Sequence, residues 1–253
     1  GVITAVYLLG IVPESFLRLV LFGQVFLALV AGLLGCGRLL NGIGTIFRGR
    51  FNLNSLLLFT FLACMADGIF CLMDLRVPCC AAFSLEMTMA LWARLQKRNT
   101  ELAQLDTMRK AVRLDRVAAQ KEYYDGKTAL IRGDGQVEDV MDTYDIVSAP
   151  ERFQNICALI AVVLSIALAV LAYMRYGLHS AIQVLSVGLL AGAPAAAYIA
   201  VSRPMAVLEK QLHKVGTVLC GWQGVKALCG KLVFPLSDED LFPRGATKLN
   251  GVK

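Results

Sequence analysis

Apolar residues in this chain come in long runs separated by charged segments. Charge-free stretches extend from Leu19 to Gly37, from Ile156 to Met174 and from Ser180 to Ser202. Each approaches the roughly 20 residues that a helix needs to cross ~30 Å of hydrocarbon. Two more stretches carry one acid apiece: Asn54–Met73 contains Asp67, and Pro78–Ala93 contains Glu86. Val2–Ile11 reads as the tail of another span, ended by Pro13-Glu14-Ser15, with no signal-peptide cleavage site near Ile11. The pattern predicts a mainly α, polytopic membrane protein with five complete spans and a truncated one, arranged as three hairpins.

Composition supports lipid as the solvent. Of the 253 residues, 57% are apolar and only 17% charged, with a mean hydropathy of +0.62. A water-soluble domain of this size could not cover itself with so little polar surface. Disorder, collagen-like repeats and a small disulfide scaffold are excluded by the same figures. The chain starts at Gly1 and stops at Lys253 in mid-pattern, which reads as an N-terminal piece of something longer.

Charge placement then predicts orientation. Twenty-two of the 25 Lys and Arg fall in Arg38–Arg50, Arg94–Arg152 and the tail after Ser202; Arg18, Arg76 and Arg175 lie on the other side. Basic loops stay cytoplasmic, so residues 94–153 and 203–253 are expected there, and the net charge of +6 is a topology signal. A nucleic-acid footprint would need a clustered basic face with interleaved aromatics. None is visible, so no nucleic-acid partner is expected and the lipid bilayer is the expected partner.

The eight cysteines include no C-x-x-C pair, and Cys36, Cys64, Cys71 and Cys157 fall within spans, so packing is the expected role for most. Arg94–Tyr124 is expected to continue helical, with Leu95, Leu102, Leu105, Val112 and Val117 as a rough apolar stripe. Thr128–Ile131, the turn Arg132–Gly135 and Gln136–Asp139 read as a short hairpin. After a helix over Met205–Val215, an apolar strand from Lys231 delivers Asp238 and Asp240 at its carboxyl end. Open α/β sheets bind ligands at that edge. Two carboxylates spaced two apart can hold Mg²⁺ while one attacks phosphorus.

The two in-span acids form a second candidate. Counted from Arg76 at the hairpin turn, Asp67 is nine residues back and Glu86 ten forward, which puts both about 14 Å from the turn. Two carboxylates at one depth would share a proton or bind a cation.

The order of parts resembles the heavy-metal (copper- and zinc-type) P-type ATPases. Gly35-Cys36-Gly37 followed by Arg48–Leu56 is similar to that family's glycine kink, amphipathic platform and "GR-x-NMD-x-L" segment. Phe83–Glu86 with Leu91–Arg98 is similar to the helix leaving for the actuator domain. Ser148–Phe153 stands where the family resumes its spans, and Gly192-Ala193-Pro194-Ala195 stands at its kinked Cys-Pro position. The resemblance implies the start of a haloacid-dehalogenase-like phosphorylation domain, with Mg²⁺ and ATP as cofactors. It implies a cation substrate, a bacterial plasma membrane location, Asp238 as nucleophile and Asp240 as acid with both as Mg²⁺ ligands, and Asp67, Glu86 and Pro194 along the ion path. Domains are expected at 1–93, 94–153, 154–202 and 203–253.

Three features depart from the family pattern. Alanines flank Pro194 where thiols belong, no Thr-Gly-Glu occurs, and Asp238–Phe242 replaces Asp-Lys-Thr-Gly-Thr. Alanine cannot coordinate a soft metal. A pseudo-pump scaffold and a membrane-anchored phosphatase are the alternative expectations.

Overall fold

A computed structural model of the chain describes residues 16–74, 76–124, 126–143, 146–192, 195–229 and 232–236. The expected span remnant at Val2–Ile11, Pro194, and the acid pair Asp238 and Asp240 lie outside the described residues.

The chain is mainly helical and divides into two compact units. The first comprises Gly1–Leu102 and Ala149–Leu208. Its helices are α1 (Leu17–Leu34), α2 (Cys36–Phe47), α3 (Leu53–Asp74), most of α4 (Cys80–Lys110), α6 (Ala149–Tyr176), α7 (Leu178–Gly192), α8 (Ala195–Ile199) and the greater part of α9 (Ser202–Leu212). Four helical runs are long and apolar enough to cross a membrane: Leu17–Leu34, Leu53–Asp74, Ala149–Tyr176 and Leu178–Val215. The expected fifth, Pro78–Ala93, is not among them. α4 begins at Cys80 and meets Arg94 and Lys97 soon afterwards, leaving about 21 Å of apolar helix.

α3 packs against α1, α2, α6 and α7 and is the most buried of the four. Its Leu56, Leu57 and Cys64 share one apolar cluster with Phe83, Met87, Ala90 and Leu189, and the Phe61 and Phe83 rings lie 5.3 Å apart. In α6 the buried residues are Ala158, Val162, Ser165 and Ala172, a helical stripe of small side chains. Ile160, Leu164 and Leu171 on its other faces are exposed. Against that stripe α7 sets Gly188 and Gly192, which face Ser165 and Ala161. Small residues on both sides let the backbones approach where apolar bulk gains nothing over lipid.

The second unit comprises Ala103–Ser148 and Glu209–Lys253. Strands β1 (Asp115–Tyr124) and β2 (Lys127–Asp134) form an antiparallel hairpin in which Asp115 faces Asp134 and Ala119 faces Leu130. Strand β3 (Leu232–Val233) pairs parallel to β2 at Thr128 and Ala129, giving the order β1-β2-β3. Two short helices complete it, α5 (Val137–Met141) and α10 (Gly221–Ala227).

This hairpin differs from the expected one. Helix α4 stops at Lys110, and Arg113–Tyr124 is not its continuation. The turn falls between positions 124 and 127, with Gly126 at φ 68°, so Arg132-Gly133-Asp134 lies within β2. Residues expected as the return strand form α5, capped reciprocally by Gln136 and Asp139. The backbone ladder pairs the strands from Asp115↔Asp134 onward, and exposed ion pairs flank it: Arg132 reaches Asp115, and Arg113, just before β1, lies 2.6 Å from Asp134.

Candidate functional site

The two acids expected within spans, Asp67 and Glu86, have different surroundings. Asp67 is fully buried on α3. Arg76, in the link to α4, folds back so that its guanidinium lies 2.6 Å from Asp67 Oδ1. On the same face of α3 stand Cys64, Gly68 and Cys71, all buried. Cys80 of α4 presses against them, its Sγ 3.8 Å from the Cys64 carbonyl. The carboxylate of Asp67 is thus compensated locally by a guanidinium that the hairpin turn itself supplies.

Glu86 has no such partner. It is 4% exposed on α4, makes no hydrogen bond among the described residues, and its Oε2 is completely buried. The Tyr198 hydroxyl on α8 is likewise buried and unpartnered. Glu86 and Arg38 are both close enough to Tyr198 to act on it electrostatically. Arg38 itself is a brace: it donates to Asn54 Oδ1 at 2.8 Å and to the Ala90 carbonyl at 2.7 Å, leaving its Nε without a partner. α4 and α2 therefore bring an orphan carboxyl and a guanidinium with an unpartnered Nε within electrostatic reach of the orphan phenol on the short α8. Removing these groups from water without partners costs several kcal/mol in apolar surroundings, of order 2–7 even for a neutral group. A carboxyl kept in such a place needs a proton, a cation or a bound water to complete it.

The expected Asp67–Glu86 pair is not joined by a hydrogen bond or ion pair among the described residues. Nor, among those residues, do three or more His, Cys, Asp or Glu side chains form a group able to hold a metal ion. Sequence reasoning missed Arg76 as the partner of Asp67, although the spacing of nine residues across a tight hairpin turn carried the signal. It also missed Arg38 and Tyr198, whose relation to Glu86 depends on three separate segments meeting.

The brace around Arg38 depends on close contact between α2 and the start of α3. A Cβ at Gly42 would lie 2.5 Å from the Asn54 carbonyl oxygen. Thr45 donates to the Gly42 carbonyl at 2.9 Å and sits 2.9 Å from the Ser55 hydroxyl, while Asn52 Oδ1 accepts the Ser55 amide at 3.0 Å. Asn52 thereby caps the first turn of α3. An apolar groove in the same unit, lined by Phe59, Leu62, Ala66 and Val162 among others, offers no polar group for a charged ligand.

In the second unit Glu209 is 1% exposed. Gln104 donates to its Oε1 at 2.6 Å and to the Leu219 carbonyl at 3.1 Å, and His213 Nε2 lies 3.2 Å from Oε2. The arrangement ties the end of α4 to α9 and to the following loop. On the surface of this unit, a hydrogen bond from Arg132 and the charges of Arg132 and Arg113 hold the Asp115 carboxyl below the usual carboxylate range. The phosphate-chemistry expectation rests on Asp238 and Asp240, outside the described residues, so no described side chain is assigned to Mg²⁺ or ATP. No family model, curated protein or solved structure matches the chain.

Proposed function

We propose that this chain is the membrane portion of a cation transporter related to the heavy-metal P-type ATPases, in which Glu86 is the intramembrane acid on the ion path. The observation that carries the reading is the buried carboxyl of Glu86, which has no hydrogen-bond partner among the described residues and lies within electrostatic reach of the equally unpartnered Tyr198 hydroxyl. Ionisable groups placed in a span at such cost mark ion or proton routes by default. Several local features favour the lineage. The first span breaks at Gly35 into the separate helix α2, and α4 continues 31 residues from Cys80 into the second unit. α7 ends at Gly192 and α8 begins at Ala195, on either side of the expected kink.

Under this reading the apolar part of α4 is a fifth crossing, completed by its neighbours. The basic segments face the cytoplasm of a bacterial cell, and the chain after Leu232 opens a haloacid-dehalogenase-like domain that uses Mg²⁺ and ATP through Asp238 and Asp240. Asp67 serves as the fixed partner of Arg76 and leaves the ion to Glu86. Uptake of Zn²⁺, Cu⁺ or H⁺ into vesicles holding the full-length protein tests the idea. Glu86→Gln should abolish ATP-dependent flux, and undiminished flux would end the proposal. Acid-stable ³²P labelling from ATP should vanish in Asp238→Asn.

The Asp67–Arg76 pair and the alanines beside Pro194 also favour a second reading, a scaffold that keeps the fold without pumping. Absence of any ³²P labelling in the full-length protein would select it.

A further inference from the structure

Helix α2 lies between two membrane-crossing helices, α1 and α3, so both of its ends sit at one edge of the bilayer. Its 12 residues make about 18 Å of helix, too short to cross. One side of it is committed inward by Leu39, Gly42, the Arg38 brace and the Thr45–Ser55 contact. The opposite side is an apolar stripe at helical spacing, Cys36, Leu40, Ile43 and Phe47, exposed throughout and 87% so at Phe47. Directly after this stripe come Arg48 and Arg50, both exposed, with no ion pair or hydrogen bond from either side chain among the described residues. No Asp or Glu occurs anywhere from Phe16 to Ala66. The helix therefore presents an apolar edge ending in two unneutralised guanidiniums, at the depth where acyl chains give way to headgroups.

We propose that α2 is an in-plane docking surface for anionic phospholipids, with Leu40, Ile43 and Phe47 seated at the acyl boundary and Arg48 and Arg50 paired with headgroup phosphates. Each feature has its physical counterpart. An amphipathic helix gains by burying its apolar face at the interface. Guanidiniums form forked hydrogen bonds to phosphate, and an anionic surface attracts basic residues beside it. The inward contacts pre-orient the stripe, so little ordering cost remains on binding. The inference does not depend on what, if anything, the protein transports.

The test uses the full chain in nanodiscs, carrying Phe47→Trp in a Trp92→Phe/Trp222→Phe background. Brominated phosphatidylglycerol and brominated phosphatidylcholine are compared as quenchers at equal mole fraction. The anionic phosphatidylglycerol should quench the indole of the Phe47→Trp variant more strongly than the zwitterionic phosphatidylcholine. That preference should fall about fivefold for each arginine replaced by Gln, equivalent to ~1 kcal/mol apiece, and survive Arg48→Lys/Arg50→Lys in large part. Equal quenching by both lipids with the arginines intact would overturn the proposal. So would quenching by aqueous acrylamide with none by either lipid, which would assign the stripe to water or to a protein partner. Should the tryptophan variant fail to fold, native mass spectrometry of the otherwise unaltered chain gives the same decision. Retained phosphatidylglycerol must drop in Arg48→Gln/Arg50→Gln, and unchanged occupancy refutes the surface.

Discussion

Arg76 returns across the α3–α4 link to lie 2.6 Å from Asp67, whose own side chain is inaccessible to solvent. The pair closes the hairpin with a charge contact between a carboxylate with no access to solvent and a guanidinium that keeps a quarter of its surface exposed. A buried carboxylate left alone costs far more than the net worth of the pair. Arg76→Gln is therefore expected to destabilise the folded protein by about 3–5 kcal/mol, and Asp67→Asn/Arg76→Gln should recover most of that loss. Thermal unfolding in detergent of both single variants and the double measures the coupling. Additive effects would show that the two side chains do not sense each other.

Two glycines on α2 are expected to respond in opposite directions. Gly42 sits against the backbone of Asn54, 2.5 Å from where a Cβ would stand, while a Cβ on Gly44 would meet nothing within 4 Å. Backbone cannot move aside as a side-chain tip can, so Gly42→Ala should cost about 1–3 kcal/mol. Gly44→Ala should stabilise the helix by roughly 0.5–1 kcal/mol. Melting temperatures of the two variants check this, and a shift of the same sign in both would mean that α2 is not seated on α3 as described.

Gln104 bridges 105 positions of sequence to Glu209 and also holds the Leu219 carbonyl. Its truncation to Ala removes a donor from a carboxyl group that is almost wholly buried. The expected loss is about 1–3 kcal/mol, appearing as faster amide hydrogen exchange at the end of α4 and over positions 209–220. Exchange confined to one of those segments would separate what the hydrogen bond is said to join.

The β1–β2 hairpin should weaken in acid. Asp115 has its folded pKa depressed, first by the hydrogen bond from Arg132 and then by the charges of Arg132 and Arg113. A carboxyl depressed in the folded state contributes stability above its unfolded pKa of about 3.9 and loses it as pH falls through the folded value. Amide exchange across β1 and β2, corrected for intrinsic rates, should accelerate below about pH 3.9. In Asp115→Asn that acid-dependent component should disappear, and an unchanged acid response would show that other groups produce it.

Sequence alone determined the parts of this protein that depend on local quantities. Length and apolarity are sufficient for a lipid-crossing helix, because every backbone group is satisfied within the segment. Four of the expected spans accordingly stand where the runs of apolar residues put them. The burial of Asp67 and Glu86 in helical segments was legible for the same reason. The break at Gly35 falls inside the charge-free stretch Leu19–Gly37 and was expected only from the family resemblance, since apolarity alone ran the span through it.

Tertiary structure decided what those residues meet. Periodicity extended α4 through Tyr124, yet from Asp115 onward the backbone pairs with β2, a ladder whose second strand lies outside the segment that the periodicity described. The two acids looked equivalent at equal depth. Arg76 compensates one of them, while the other faces Tyr198 from a distant segment. Glu209 reads as a surface charge on a polar helix until Gln104 is brought against it. For Glu209 the deciding energy lies in a contact between residues 105 positions apart in the chain. Such a contact leaves no trace in local hydrophobicity, since either residue alone would be as well satisfied by water.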